Sequence, residues 1–352
     1  MPFLSVPPKQ YGGVERMVSY LTEELVQQGH MVTLFASGDS ITRARLIAPC
    51  SSAAGEGHEG HVLYSTMLGM VARYAKEFDI IHFHLNHWIV LPFVKALTSR
   101  AVVTFHMPID NSESMQPFFQ EFSDIPIVSL SDAQRPSNVY LNWQRTIYYG
   151  LPTTLYKYRE KSENYYAFIG LLARHKGPDR AIDIAKAAGV RLKLAGPVYD
   201  REQGYFDQVI APQVNGHDIE YVGPLDDAEK QTLLGNAVAL LFPSQWQEPF
   251  GLVMIESMAC GTPVIGFDNG SVPEVITHGT TGLVVPDWTA AVGAVADVRE
   301  LDRKRCRAEF ERRFLASRMC KDYVELYEAL VQAEPASTAA VLETDHAGNP
   351  AR

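Results

Sequence analysis

Two glutamates near residue 250 have a spacing and a setting suited to a ligand that carries both phosphate and hydroxyl groups. Glu248 and Glu256 flank the segment Pro249-Phe250-Gly251-Leu252. Residues 237–242 form an apolar run of strand length, and residues 252–260 have the pattern of a helix. The first backbone N–H groups of a helix favour phosphate, and carboxylates accept hydrogen bonds from hydroxyls. The pattern indicates a nucleotide sugar, although a buried β–α–β unit with two surface glutamates fits the same spacing.

Three further groups could contribute to such a site, and each has a structural alternative. Gly12 and Gly13 precede the first helical segment, where a glycine pair lets backbone approach a phosphate but also occurs at ordinary turns. Lys176, with Arg174 nearby, could neutralise a diphosphate leaving group or belong to a solvated basic loop. His106 ends a buried strand and could donate a hydrogen bond to substrate, or it could be structural.

The histidines at positions 82, 84 and 87 are the nearest approach to a metal motif. No cysteine lies close to them in sequence and no carboxylate lies between them, so we interpret His82, His84 and His87 as lining a cleft. The chain also has no Asp-x-Asp pair. We therefore expect no metal and no other cofactor.

Composition excludes several classes of protein. The 352 residues carry a net charge of −10, which argues against a general nucleic-acid binder. No apolar stretch approaches the roughly 20 residues that span a bilayer, and no signal peptide is evident. The 4 cysteines are scattered, which favours a reducing cytoplasm. The basic residues at 303–313 are interleaved with acidic ones and predict a solvated helix face, with membrane docking as a secondary alternative.

The order of apolar segments predicts an α/β protein with two domains of alternating strands and helices. Strands are predicted at residues 31–36, 79–84, 101–106, 125–130, 146–149, 166–169, 191–195, 219–222, 237–242, 263–267 and 282–285. The predicted divisions are a first domain at 1–150, a second at 151–301, a closing helix at 302–333 and a disordered tail at 334–352. Such alternation gives parallel sheets, and two such domains place a ligand cleft between the carboxyl ends of their strands.

Taken together, these features resemble the retaining glycosyltransferases of family 4, which have the GT-B fold of two facing Rossmann-like domains. The resemblance extends from about residue 5 to about residue 327, and its most specific part is the Glu-x7-Glu motif from Glu248 to Glu256. The supporting segments are Pro7-Pro8-Lys9-Gln10-Tyr11-Gly12-Gly13-Val14-Glu15, Thr104-Phe105-His106, Lys176-Gly177 with Asp179-Arg180-Ala181, and Gly270-Ser271-Val272-Pro273-Glu274.

The resemblance implies a role for each candidate residue. Glu248 would hold hydroxyls of the donor sugar, and Glu256 would hold the ribose hydroxyls. The donor's diphosphate or sugar would contact the Gly12-Gly13 loop, Lys176 and the backbone N–H groups of Phe250, Gly251 and Leu252. His106 would face the transferring sugar, so the catalytic set would be His106, Lys176 and Glu248. The base would lie near Val222, Gly223 and Leu225.

Two positions depart from the family pattern. Leu171 stands where the family usually has an arginine on the diphosphate, and we hypothesise that Arg174 partly replaces it. The family also has a complete strand before the glycine-rich loop, whereas only residues 1–6 precede Pro7 here. The first strand is therefore expected to be very short or missing, and one hypothesis is that the natural start of the chain lies upstream or that the gene product is truncated.

The function implied is retaining transfer of a hexose from a nucleoside-diphosphate sugar to an acceptor hydroxyl, without a metal. A UDP-sugar is the first expectation for the donor and GDP-mannose the second. The acceptor could be a glycan, a lipid-linked sugar or a small molecule, and no nucleic-acid partner is expected. Two alternatives stay open: a GT-B nucleotide-sugar epimerase, which needs no acceptor, and a degenerate, non-catalytic nucleotide-sugar binder.

Overall fold

The computed structural model describes residues 2–9, 11–55, 57–97 and 100–333. The tail predicted to be disordered, residues 334–352, lies outside the described residues. The strands are β1 Thr33–Phe35, β2 Arg45–Ile47, β3 Ile81–Leu85, β4 Ala101–Phe105, β5 Pro126–Ser129, β6 Asn142–Thr146, β7 Tyr166–Ile169, β8 Leu192–Ala195, β9 Ile219–Gly223, β10 Leu240–Phe242, β11 Val264–Phe267 and β12 Gly282–Val285.

The α-helices lie between these strands and after the last of them. They are α1 Gly13–Gln27, α2 His58–Tyr74, α3 Leu91–Ala96, α4 Gln116–Glu121, α5 Pro178–Ala188, α6 Gln203–Tyr205, α7 Asp227–Asn236, α8 Leu252–Ala259, α9 Val272–Val275, α10 Trp288–Asp297, α11 Arg303–Arg313 and α12 Ala316–Gln332.

The strands form three parallel sheets. The second domain contains six strands in the order β12-β11-β10-β7-β8-β9, and the first contains four in the order β3-β4-β5-β6. The remaining pair, β1 and β2, is a separate two-stranded parallel sheet. This confirms the predicted α/β class with parallel sheets in two domains.

The start of the first domain fits the expectation of a very short or missing first strand, and the strand that follows α1 joins no larger sheet. No strand occurs at residues 2–9 in the described part of the chain, and β1 pairs with β2 instead of joining the four-stranded sheet. Val6 packs with Leu34 and Ala36 in a small apolar cluster, so the opening segment covers this short sheet. Sequence alone also missed β2, whose three residues are at most half-buried, and α2, whose buried face contains Tyr64, Met67 and Val71.

The last strand of the first domain was predicted in the wrong place. The prediction was residues 146–149, whereas β6 is Asn142–Thr146. This strand lies at the sheet edge and most of its side chains are only partly buried, so it lacks an apolar pattern. The buried Ile147 and Tyr149 that suggested a strand belong to the segment leaving the domain.

The predicted single closing helix is wrong, because two helices occupy residues 303–332. They are interrupted where the chain crosses the interdomain linker: Leu151 N–H donates to Phe314 O at 2.9 Å and Ala316 N–H donates to Leu151 O at 2.9 Å. Leu151 and Leu315 thereby form a parallel bridge. Helix α11 packs on α8 of the second domain, whereas α12 returns to pack on α1 of the first. The closing segment thus joins both domains.

Candidate active site

Helix α8 starts at a turn that only glycine accommodates well. Gly251 has φ of 78°, and an added Cβ would lie 2.6 Å from Met254 Cε. The turn follows β10, so Glu248 precedes the helix, whereas Glu256 lies in the second turn of α8 and faces the interior. The Glu-x7-Glu spacing therefore places two carboxylates on either side of a helix N-terminus, as the sequence predicted.

Phe250 anchors this turn to the first domain. Its ring is 1% exposed and lies 5.0 Å from the ring of Tyr149, 5.9 Å from that of Tyr148 and 5.9 Å from that of Phe314, measured between centroids. Tyr148 and Tyr149 come from the end of the first domain. The side chain of Phe250 thus packs in the interdomain contact, and the part of its backbone in ligand binding stays a prediction.

Glu248 forms an ion pair with the predicted lysine. Lys176 Nζ lies 2.5 Å from Glu248 Oε2, and Trp246 Nε1 donates to the same oxygen at 2.7 Å. The ammonium also lies 4.5 Å from the centroid of the Trp246 ring. Within the described residues Oε1 makes no hydrogen bond, so it can accept one from a sugar hydroxyl. Trp246 was missed at the sequence level, because its contact depends on how the 243–251 loop folds back.

Glu256 is the more deeply buried carboxylate. Its side chain is 4% exposed and accepts hydrogen bonds from Lys230 Nζ at 2.7 Å and Tyr156 OH at 3.1 Å. Burial and the Glu256 carboxylate raise the pKa of Tyr156 well above its ordinary value. A buried carboxylate needs such partners, since desolvation of an unpaired charge is costly.

The ion pair of Glu256 continues into the first domain. Lys230 Nζ also lies 3.2 Å from Asp227 Oδ1, and Arg16 Nη1 of α1 lies 2.5 Å from Asp227 Oδ2. Arg16, Asp227, Lys230 and Glu256 therefore form a chain of alternating charges that crosses between the domains. Sequence reasoning missed the first three. The Asp226–Glu229 capping box does mark the start of α7, but the face that α7 turns towards α8 is decided by tertiary packing.

The glycine-rich loop reaches the same region. Gly12 directly precedes α1, and an added Cβ would lie 2.9 Å from Pro8 Cβ, so glycine is required by close packing. Gly13 is the first residue of α1 and would meet no atom within 4 Å. The neighbouring Tyr11 ring lies edge-on to Tyr199 of the second domain at 6.3 Å. Although Tyr11 is 42% exposed, this ring contact joins the glycine-rich loop to the second domain.

Leu171 and Arg174 occupy different environments in the structure. Leu171 is buried in the apolar interior. Arg174 is exposed, and its guanidinium carbon lies 4.9 Å from the centroid of the Tyr205 ring. Arg174 makes no hydrogen bond or ion pair to Glu248 among the described residues, so its proposed part in diphosphate binding stays a prediction.

The predicted base pocket lies at the carboxyl end of β9. Val222 and Leu225 pack beside a small buried cluster that contains Ala195 and Leu233. Gly223 ends β9 with φ of 82°, and its carbonyl accepts a hydrogen bond from Gly196 N–H at 2.9 Å. These residues are brought to the same edge of the sheet as the carboxyl end of β10, and their contact with a base stays a prediction.

His106 is buried and fully engaged by protein groups. Its Nδ1 lies 2.5 Å from Tyr149 OH and its Nε2 lies 3.1 Å from His84 Nδ1. Both ring nitrogens are thus occupied, so direct hydrogen bonding of His106 to a sugar, as the sequence predicted, requires one of these bonds to break. Tyr149 also contacts Phe250, which links the histidine to the motif turn.

The histidines continue as a chain towards the last helix. The His82 and His84 rings lie 3.9 Å apart; His82 Nδ1 lies 2.6 Å from Tyr327 OH and His82 Nε2 lies 2.8 Å from Thr104 Oγ1. Burial lowers the pKa of all three imidazoles, to about 3 for His84 and well below the usual range for His82 and His106. The imidazoles are therefore neutral at physiological pH.

Two further properties of the described residues concern metal ions and membranes. Over the described ranges, no group of three or more His, Cys, Asp or Glu residues is arranged to hold a metal ion. Nor does any helix in that part of the chain combine the length and apolar character needed to cross a bilayer.

Comparison with known proteins identifies the class of protein. The family model described as "Glycosyl transferases group 1" matches residues 157–312, and the model "Glycosyltransferase Family 4" matches residues 11–150. The two matches lie side by side and cover both domains. The chain therefore belongs to family 4 of the glycosyltransferases, with the GT-B fold.

Individual relatives agree with this assignment. D-rhamnosyltransferase WbpZ of Pseudomonas aeruginosa is 26% identical over 315 residues, which are 78% of this chain and 79% of that protein. An uncharacterized 41.2 kDa protein of Klebsiella pneumoniae is 29% identical over 168 residues, 46% of this chain, and the match spans only 45% of that relative. Among solved structures, Anabaena HepE in complex with UDP and glucose has a TM-score of 0.68 at 17% identity, covering 90% of this chain and 96% of that one.

The buried ion pair of Lys230 and Glu256 predicts a large loss of stability when the lysine is replaced. Lys230→Met should lower the free energy of unfolding by about 3–5 kcal/mol, because Glu256 would keep its charge in the interior without its ion-pair partner. The measurement is urea unfolding at pH 7. Lys186→Met is the matched control, since Lys186 is an exposed helical lysine that contacts only Gln213. Similar losses in both variants would contradict the buried-pair account.

The histidine chain predicts a stability that falls with acidification. The folded-state pKa values lie below the unfolded value of about 6.5, so the unfolded chain takes up protons first as pH falls through 6.5. Each histidine then lowers the free energy of unfolding by up to about 1.4 kcal/mol for each pH unit of acidification. Denaturant unfolding from pH 7.5 to 5 should show a shallower slope for His84→Gln than for the natural chain. His30→Gln, at an exposed position, should leave the slope unchanged, and an unchanged slope in His84→Gln would refute the explanation.

Proposed function

We propose that this protein transfers a hexose from a nucleoside-diphosphate sugar to an acceptor hydroxyl with retention of anomeric configuration. The observation that carries the proposal is the pair of carboxylates around the α8 N-terminus, with Lys176 on Glu248 and Lys230 on Glu256. This arrangement offers a cation and backbone N–H groups for a diphosphate, and acceptor oxygens for the hydroxyls of a sugar and a ribose. The membership of the chain in a glycosyltransferase family supports the same assignment.

In the proposed reaction, one glycosidic bond is exchanged for another. The bond between the anomeric carbon and the diphosphate oxygen breaks, and the acceptor oxygen bonds to the same face of the anomeric carbon. The proton of the acceptor hydroxyl passes to the departing phosphate. Lys176 and the first N–H groups of α8 would stabilise the negative charge that grows on the diphosphate, without a metal ion. Positioning by Glu248 would supply much of the remaining acceleration.

Lys176 would exchange its partner during this cycle. Its ammonium is held by Glu248 at 2.5 Å, and a diphosphate would compete for the same charge. Once the ammonium moves towards phosphate, Oε2 of Glu248 becomes available to accept a hydroxyl of the sugar. Binding of the diphosphate would then free the carboxylate oxygen that orients the sugar. Binding of the diphosphate and binding of the sugar would thereby be coupled.

A UDP-sugar is the favoured donor, and GDP-mannose is the second candidate. The similar fold of Anabaena HepE, which binds UDP and glucose, supports uridine. The acceptor is proposed as a hydroxyl on a glycan, a lipid-linked sugar or a small molecule. The epimerase and the non-catalytic binder remain alternatives, which acceptor dependence and turnover distinguish. The predicted cytoplasmic location stays a prediction.

The deciding experiment measures binding of nucleotides and nucleotide sugars to the natural chain and to variants of Glu248 and Glu256. Thermal unfolding with UDP, UDP-glucose, GDP and GDP-mannose, each with EDTA, should show stabilisation by one nucleotide family, about 2.7 kcal/mol at a hundred times the dissociation constant. Glu256→Gln should weaken binding of the nucleotide and of the nucleotide sugar to the same extent, because the variant would lose the contact with the ribose hydroxyls. Glu248→Gln should weaken binding of the nucleotide sugar and leave binding of the nucleotide unchanged.

Controls and turnover complete this experiment. Glu300→Gln, at an exposed position away from the motif, should bind as the natural chain does. Loss of the sugar nucleotide in an acceptor-dependent reaction supports a transferase, and release of altered sugar without acceptor supports an epimerase. Absence of stabilisation by every nucleotide, in folded protein, would overturn the proposed donor site.

Arg174 generates a separate prediction about diphosphate binding. If Arg174 replaces the arginine missing at position 171, Arg174→Ala should weaken binding of the preferred nucleoside diphosphate by about tenfold, the equivalent of about 1.4 kcal/mol. Isothermal titration measures this directly. Arg180→Ala is the control, because Arg180 is a partly exposed helical arginine paired with Asp183. Unchanged affinity and turnover in Arg174→Ala would refute the replacement.

A further inference from the structure

A cavity of about 650 Å³ lies in the second domain, apart from the candidate active site. Its wall includes residues 160–162, Val238 and Pro263, which come before β7, β10 and β11. The Glu-x7-Glu motif follows the carboxyl end of β10. Because these strands are parallel, the cavity and the motif occupy opposite edges of the same sheet. The donor site does not explain the cavity.

Positive charge is concentrated in the cavity wall. Lys161, Arg299, Arg303 and Lys304 line it, whereas its acidic lining residues are Glu160 and Asp302. This concentration occurs on a chain whose net charge is −10. The local field therefore runs against the overall charge, which favours entry of an anion.

Arg303 is fixed in place entirely by neutral groups. Its guanidinium donates to Arg159 O at 2.8 Å, Ala237 O at 2.9 Å, Gly235 O at 2.8 Å and Thr262 Oγ1 at 2.6 Å. Burial lowers its pKa, and the guanidinium forms no ion pair among the described residues. A partly buried cation held only by carbonyl and hydroxyl oxygens gains stability when an anion approaches.

The other cations of the wall also lack a carboxylate partner. Arg299 Nη2 donates to the neutral Asn164 Oδ1 at 2.9 Å. The ammonium groups of Lys161 and Lys304 form no ion pair or hydrogen bond within the described residues. The Asp302 carboxylate instead accepts a hydrogen bond from the backbone N–H of Lys304 at 2.8 Å, where it caps α11. The guanidinium groups of Arg299 and Arg303 are therefore held in position without being neutralised, and the exposed ammonium groups of Lys161 and Lys304 add positive charge beside them.

The cavity also offers an apolar and aromatic wall. Tyr158, Val298 and Leu301 line it beside the cations. A second cavity of about 280 Å³ shares Tyr158 and Lys304 with the first, so the two adjoin; it adds Arg307, which is paired with Glu311 at 2.7 Å. This combination of ring, apolar surface and fixed positive charge suits an organic phosphate better than a simple inorganic ion.

We propose that this cavity binds a phosphate-bearing ligand, with Lys161 and Lys304 contacting the phosphate and Arg303 supplying fixed positive charge. The phosphate could belong to a soluble metabolite or to a lipid headgroup, which present the same chemistry to these residues. The proposal does not depend on the proposed transferase activity, because the cavity lies at the other edge of the sheet. It gives the second domain a second anion site besides the donor site.

The test uses inorganic pyrophosphate as the probe and removes the donor site from the measurement. All variants carry Lys176→Ala, so that binding at the Glu-x7-Glu motif is weakened throughout. Isothermal titration should still detect pyrophosphate binding in this background. Adding K161Q and K304Q together should weaken it at least tenfold. Adding K157Q and R305Q instead should change it less than twofold, because these exposed cations, whose side chains form no ion pair among the described residues, lie close to the cavity but do not line it.

Three outcomes would overturn the proposal. The first is that pyrophosphate does not bind in the Lys176→Ala background. The second is that the added Lys161 and Lys304 substitutions do not weaken pyrophosphate binding. The third is that the Lys157 and Arg305 control weakens it equally, which would mean that diffuse surface charge binds the probe. Unchanged thermal unfolding temperatures exclude misfolding as the cause of a loss. Sedimentation with phosphatidylglycerol vesicles identifies the source: vesicle binding lost with Lys161 and Lys304 supports a lipid headgroup, and pyrophosphate binding without vesicle binding supports a soluble phosphate.

Discussion

The burial of the Glu256 carboxylate constrains much of this structure. A charge that is 4% exposed must be compensated locally, and Lys230 and Tyr156 provide that compensation. Lys230 is in turn held by Asp227, and Asp227 by Arg16 of the other domain. One costly buried group therefore fixes the position of α7 against α8 and ties α1 to both. The arrangement gives the carboxylate a defined orientation, which a group that binds ribose hydroxyls would need.

An aromatic contact reinforces this link between the domains. Phe250 lies in the motif turn, while Tyr148 and Tyr149 come from the end of the first domain and Phe314 from the end of α11. Tyr149 also binds His106, so the motif turn, the linker and the histidine chain share one packed region. Displacement of any of these elements would be felt by the others, because close-packed interiors transmit small shifts.

The closing helices complete the connection. The chain leaves the second domain through α11, crosses the linker at Leu151 and returns to the first domain as α12. Tyr323 and Tyr327 of α12 bind Thr104 and His82. The first domain is thus incomplete without the last helix of the chain. His106 is buried and His82 and His84 are half-buried; with their pKa values lowered they stay neutral, and His82 and His106 form hydrogen bonds with hydroxyls without carrying a charge into the interior.

The sequence by itself determined the alternation of strands and helices, the Gly251 turn and the spacing of Glu248 and Glu256, because these depend on neighbouring residues and local propensity. It did not reveal Lys230, Asp227 and Arg16 as partners of Glu256, since their meeting depends on how α7 and α1 pack. Nor did it reveal the break between α11 and α12, where helical propensity gives way to backbone pairing with Leu151. The edge strand β6 was misplaced for the same reason: a polar, half-exposed strand is defined by the neighbour it pairs with. Local patterns fixed the elements, and long-range charge pairing and packing decided which side chains share a site.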